Sequence, residues 1–129
     1  MKILIASLLV VPLIGGIFSR CQKNEEPDLD QQVLNQLKKA GSDLSKPHNL
    51  EFFLYFPTET SANQAAKDLK IEVDDVEVQP GAKSRNWLCF ATKRMVPEHD
   101  KLVSLRKRFN EIAHEGGGIY DGWGTEIVK

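Results

Sequence analysis

Between Pro97 and Lys101 the chain reads PEHDK, and Glu98, His99 and Asp100 form its tightest group of proton-exchanging side chains. An imidazole between two carboxylates has the parts for general acid–base work if all three reach one substrate. The setting argues otherwise. Proline suits the first helical position, and carboxylates suit the positive first turn, so a solvated helix start accounts for the group. His48 and His114 lack metal-ligand spacing, and no metal or cofactor is expected. Cys21 and Cys89 define neither a disulfide framework nor a zinc site. Cys89 reads as a small buried hydrophobe, and no histidine can be paired with it for thiol catalysis. The residues assemble no catalytic constellation, so the expectation is a protein that is not an enzyme.

The charged residues point the same way. Lysine and arginine number 17 against 18 aspartates and glutamates, a net charge of −1. A general attraction to nucleic acid is therefore not indicated. Arg106-Lys107-Arg108 is the densest basic run, and on a helix it fans around the outside without forming one patch. Glu72, Asp74, Asp75 and Glu77 offer a surface toward a basic protein, or a charged guard along an edge strand.

The 129 residues allow one domain behind a leader. Residues 1–19 read as a signal peptide or membrane anchor, 20–28 as a polar linker, and 29–129 as the domain. Ile3 to Phe18 is apolar for sixteen residues. That length falls between a signal core of roughly 7–15 residues and a span of roughly 20. Cys21 fits a lipoprotein site poorly, because Arg20 stands where a small residue belongs. Lys2 on one side and Arg20 with Lys23 on the other leave the orientation open. The domain is thus expected to be anchored or exported, with the cytoplasmic face as an alternative.

Within the domain, Asp28 or Asp30 caps a helix over about 29–40, with Leu29, Val33, Leu37 and Ala40 inward and Gly41 after it. LEFFLYFP is a strand with Leu50, Phe52, Leu54 and Phe56 on one face and Glu51, Phe53 and Tyr55 on the other. TETSANQAAKDLK is a helix capped by Thr58 or Thr60. IEVDDVEV is read as a strand with a bulge at Asp74-Asp75, where the apolar phase slips. RNWLCFATK is the next strand; it lacks the glycine–aromatic pattern of RNA-binding sheets. The longest helix starts near Pro97, buries Leu102, Leu105, Phe109 and Ile112, and stops at Gly116. IYDGWGTEIV closes the order as a short strand. The sum is an α+β fold: a ferredoxin-like βαββαβ sandwich with an additional N-terminal helix, preceded by the hydrophobic leader. The strands carry apolar side chains on both faces, so something must cover the face away from the helices. The first helix, a second copy of the chain, or a protein partner are the candidates.

GSDLSKPHNLEFF, TKRMVPEHDKLVSL and GGGIYDGWGT together resemble the ribonuclease E inhibitor family, the RraB-like regulator domain. Gly41, Ser42 and Asp43 match the family's turn after its first helix. Tyr120, Asp121, Gly122, Trp123, Gly124 and Thr125 match its most recognisable signature. The resemblance implies the same fold, no catalysis, and a protein-binding role that damps RNA cleavage by ribonuclease E where the domain is cytoplasmic. Direct nucleic-acid binding is not expected. The well-known members are soluble and end in an acidic tail, whereas this chain has a hydrophobic leader and stops at Lys129.

Strict alternation sends Ile119, Asp121, Trp123 and Thr125 one way and Tyr120, Gly122 and Gly124 the other. The glycines mark a bulge or a close backbone approach. Asp121 is expected to accept hydrogen bonds from nearby backbone N–H groups, with the Gly41-Ser42-Asp43 turn as one candidate source. Trp123 and Tyr120 are either packing elements or an exposed anchor for a partner.

Overall fold

The computed structural model describes residues 28–81 and 86–129 together with a two-residue strand, Lys2–Ile3 (β1). The leader reading and all of the linker but Asp28 otherwise lie outside the described residues, as does the second half of the QPGAKS turn. Among the described residues, no helix is long and apolar enough to cross a membrane.

Helix α1 runs Leu29–Lys39. Asp28 is its cap, accepting the Gln31 N–H at 3.1 Å. Strand β2, His48–Phe56, buries Leu50, Phe52, Leu54 and Phe56 to 1% exposure or less, as period-two counting requires. Helix α2, Glu59–Glu72, opens with a reciprocal capping box between Thr58 and Ser61 and presents Ala62, Ala65, Ala66 and Leu69 to the core. Strand β3 spans Asp75–Pro80, β4 spans Trp87–Met95, helix α3 spans His99–Glu115, and β5 spans Ile119–Glu126.

All strand pairings are antiparallel, in the order β1-β5-β2-β4-β3. The four longer strands are interleaved: the crossover from β2 to β3 skips the place of β4, and that from β4 to β5 skips β2. This is the split βαβ arrangement. Side chains of α1, α2 and α3 join the core-facing side chains of β2 in one cluster, so all three helices share one side of the sheet.

Three local readings are corrected. No bulge breaks IEVDDVEV; the phase slips because the helix continues through Glu72 and the strand begins at Asp75. Ile71 is a helical residue, 76% exposed, and the Val73 N–H still bonds the Leu69 carbonyl at 3.0 Å. Pro97 is not the first residue of α3: Glu98 is its cap and His99 its first residue. The bulge lies in β5 instead. Phe52 faces Trp123 and Leu54 faces Tyr120, so β5 uses one more residue than β2 across this step. Gly122, at φ +104°, supplies the left-handed conformation the extra residue needs. Tyr120 and Trp123 therefore share the core face, not opposite faces. Tyr120 packs on Phe109 at 5.4 Å between ring centroids, and Phe109 packs on Phe52 at 4.9 Å.

The glycine run before β5 is a matter of space. A Cβ on Gly118 would stand 2.0 Å from the Tyr55 carbonyl oxygen, and one on Gly116 would stand 2.8 Å from the Phe56 ring. Gly41 also has a positive φ, +96°, but a Cβ there would meet nothing within 4 Å. Gly118→Ala is thus expected to destabilise by about 3 kcal/mol or more, since a backbone oxygen cannot move aside as a side chain can. Gly41→Ala should cost only about 1 kcal/mol, for strain alone. Urea denaturation of the two variants checks the ordering; equal losses would contradict it.

Candidate functional site

The least expected side chain in the core is Asp30, on the first turn of α1 and 2% exposed. Its Oδ2 accepts from Arg106 Nε of α3 at 2.7 Å, and its Oδ1 accepts from Trp123 Nε1 of β5 at 3.2 Å. One carboxylate thereby ties together three elements distant in sequence. The guanidinium compensates the charge that burial would otherwise penalise, and the indole N–H finds the partner a buried tryptophan requires. Trp123 itself is 1% exposed, so its ring is an internal strut and no surface anchor. Tyr120 is half-buried, and desolvation pushes its phenol well above the usual tyrosine value.

The Gly41-Ser42-Asp43 turn is a second tie. Ser42 Oγ and His48 Nε2 are 2.7 Å apart. His48 Nδ1 donates to the Lys46 carbonyl at 2.8 Å, so the neutral ring can accept the serine proton at Nε2. That separation suits a nucleophile and its base. Here both residues are buried, and Ser42 Oγ also accepts the Val128 N–H at 2.9 Å. The pair is spent on latching the turn to the segment after β5. The Asp43 N–H donates to the Val128 carbonyl, while the Asp43 carboxylate accepts from the Ser45 hydroxyl and N–H, which lower its pKa.

Asp121 does not reach that turn, contrary to the expectation from sequence. The turn meets Val128, seven residues on, and at about 3.3 Å per residue that is roughly 20 Å of strand. Desolvation raises the Asp121 pKa; the Tyr55 phenol is raised first by its own desolvation and then by the Asp121 charge. Gly124 is buried opposite Glu51, and Thr125 is buried with its hydroxyl donating to the Asn49 carbonyl at 2.9 Å. The signature residues are therefore brought to one strand, and the turn residues to its C-terminal continuation. Two ties hold them, not one site.

The other side of the sheet carries the surface. Phe53 of β2 and Phe90 of β4 are cross-strand neighbours, 5.6 Å apart edge to face. Tyr55 pairs with Leu88 and with Ile119, the latter 60% exposed. Phe90 and Leu88 take this face, while Trp87 packs on the core side. Helix α1 lies behind the sheet, so it is not the cover that the apolar strands called for. On the adjacent edge strand, Glu77 faces Phe90 and Asp75 faces Thr92. Asp30 and Arg106, 76 residues apart, had no signal in the sequence beyond the need of a buried indole for an acceptor.

His99 spans two helix starts. Its Nε2 is 2.7 Å from Asp28 Oδ2, and its Nδ1 is 3.4 Å from Asp100 Oδ1. The Asp28 hydrogen bond chiefly raises the His99 pKa. At Asp28 burial opposes ionisation, but the Gln31 N–H and His99 outweigh it and hold the carboxyl below its usual value. Burial pushes the Cys89 thiol up to about 11, and its Sγ donates to the Ala62 carbonyl at 3.2 Å, which leaves no thiolate for chemistry.

Two outcomes follow. Removing one partner of a buried pair costs roughly 3–5 kcal/mol, and the part-exposed Arg106 tempers this, so Asp30→Ala should lose about 2–3 kcal/mol in urea denaturation. Asp30→Asn, which keeps an acceptor for the indole, should lose visibly less. For His99 the folded pKa is raised, so its stabilisation is full below 6.5 and fades as pH climbs through the folded value. For Asp28 it is lowered, so the gain is present above 3.8 and fades on acidification. Melting scans at mildly acidic and mildly alkaline pH should show the native chain favoured by the former, and His99→Gln should erase that difference.

Comparison with curated proteins returns no match. The family model described as RraB, regulator of ribonuclease activity B, matches residues 27–125, which is every element from α1 to the signature strand. The chain belongs to the RraB family, a regulatory and non-catalytic family of ribonuclease modulators.

Proposed function

We propose that this chain is a protein-binding module that damps RNA cleavage by ribonuclease E through direct contact with the enzyme. The family match over residues 27–125 carries the reading. The geometry agrees with it: a ferredoxin-like sandwich with an added helix, whose polar core residues are engaged in ties and whose open side offers aromatic contact area. Regulation by contact needs no reactive group, only a rigid surface in the same compartment as its target.

A second reading rests on the apolar run Ile3–Phe18. A leader of that kind suits an exported or envelope-anchored member of the family, which would present the same face to a different protein. Orientation separates the two readings, because a domain outside the cytoplasm does not meet ribonuclease E.

Purified full-length chain added to ribonuclease E and a labelled RNA should lower the cleavage rate in a saturable, dose-dependent manner, several-fold at saturation. An unchanged rate at high excess contradicts the proposal. A reporter active only outside the cytoplasm, fused after Lys129, should stay silent; activity there favours the envelope reading.

A further inference from the structure

We propose that the open face of the sheet binds a cationic amphipathic segment of a protein partner, with its apolar side chains on the Phe53–Phe90 pair and its lysines or arginines against Asp75, Glu77 and Asp121. The inference rests on the reading of the chain as a protein-binding regulator and specifies what that regulator recognises.

Two observations single out this occupant. The first is shape and polarity. Phe53, Phe90, Tyr55, Leu88 and Ile119 form a contiguous apolar surface across the two central strands and β5, and the helices lie on the other side. Aromatic side chains held rigidly by a sheet give much contact area for little lost entropy. The second is charge. Glu77 stands directly across from Phe90 and Asp75 across from Thr92, both on the edge strand and both exposed. Asp121 borders the opposite side and is felt electrostatically at Tyr55. Among the described residues, none of these three carboxylates has an ion-pair partner.

Several acids on the helical side are already paired, although Glu59, Asp68 and Glu115 have no ion-pair partner among the described residues. Asp30 is paired with Arg106, Asp28 with His99, and Glu72 and Glu111 with Arg108. Among the described residues of the open face, Arg94 is turned to Asn49, and its backbone N–H is held by Asp74. An apolar centre with unpaired carboxylates on two sides complements a segment with apolar anchors flanked by cations. The half-desolvated carboxyl of Asp121 already resists ionisation, so an arriving ammonium or guanidinium gains more there than at a fully hydrated acid.

Aromatics on the central strands of such a sheet also suit stacked RNA bases. Phosphates would have to approach the same carboxylates, and that repulsion disfavours nucleic acid on this face.

The test uses the full-length chain and three fluorescent probes read by anisotropy: an amphipathic lysine–leucine peptide, its glutamate–leucine counterpart, and single-stranded RNA. The lysine peptide should bind and weaken with added salt, and the other two should compete poorly with it. Asp75→Lys with Glu77→Lys, and separately Phe90→Ser, should each weaken it by roughly tenfold or more, while Lys107→Ala on α3 leaves it unchanged. Circular dichroism confirms that each variant stays folded. Equal binding of the glutamate peptide, preferential binding of RNA, absence of binding, or affinity untouched by the face variants would each overturn the inference. No ribonuclease is present, so the result stands apart from the cleavage assay. Damped cleavage without peptide binding removes this inference and leaves the regulator reading; peptide binding without damped cleavage does the reverse.

Discussion

A single buried carboxylate, Asp30, sets the relation between the first helix, the last helix and the signature strand. A lone charge in that position would be too costly to keep. Arg106 and Trp123 make it tolerable, and in doing so they fix where α1 and β5 sit. Apolar packing of Val33, Leu34 and Leu37 alone would allow α1 to slide or rotate on its neighbours, because apolar contacts are non-directional. The two hydrogen bonds specify one arrangement. The Ser42–His48–Val128 latch does the same at the far end of the strand.

This division of labour explains why Trp123 and the glycines around it lie away from the face proposed above for contact. Trp123, Gly122 and Gly118 build the strand: the ring fills the core, Gly122 permits the bulge, and Gly118 lets the chain pass the Tyr55 carbonyl. The bulge matters most for the core, since it returns Trp123 to the side already taken by Tyr120. Behind a sheet held this way, Phe53 and Phe90 can stay partly exposed without the layer collapsing. Rigidity on one side makes an apolar face on the other tolerable.

Much of the architecture was legible in the sequence, because period-two and helical spacing report burial directly. Phe52, Leu54 and Phe56 on one side of β2, the Thr58 cap of α2 and the Gly116 stop of α3 all read correctly. The failures share one cause. A slip in apolar phase says that geometry changes but not how: at Val73–Asp75 it marks a helix giving way to a strand, while in β5 the true bulge hid behind glycines that carry no polarity signal. Strict alternation therefore put Tyr120 and Trp123 on opposite faces. Asp30 was read as a cap alternative to Asp28, because its partners lie 76 and 93 residues away and no local pattern records them. The expected bond from Asp121 to the turn failed for a similar reason, since register decides which residue of β5 arrives there.

The clamp at Asp30 is tested most directly by a double-mutant cycle with Trp123→Phe, which keeps most of the ring and removes its N–H. Measured by urea denaturation, Asp30→Ala and Trp123→Phe should be coupled by about 1 kcal/mol or more, because each deletes the same buried hydrogen bond. Losses that simply add, to within about 0.3 kcal/mol, would mean that the carboxylate and the indole are neighbours without dependence and that the signature strand is held by apolar packing alone.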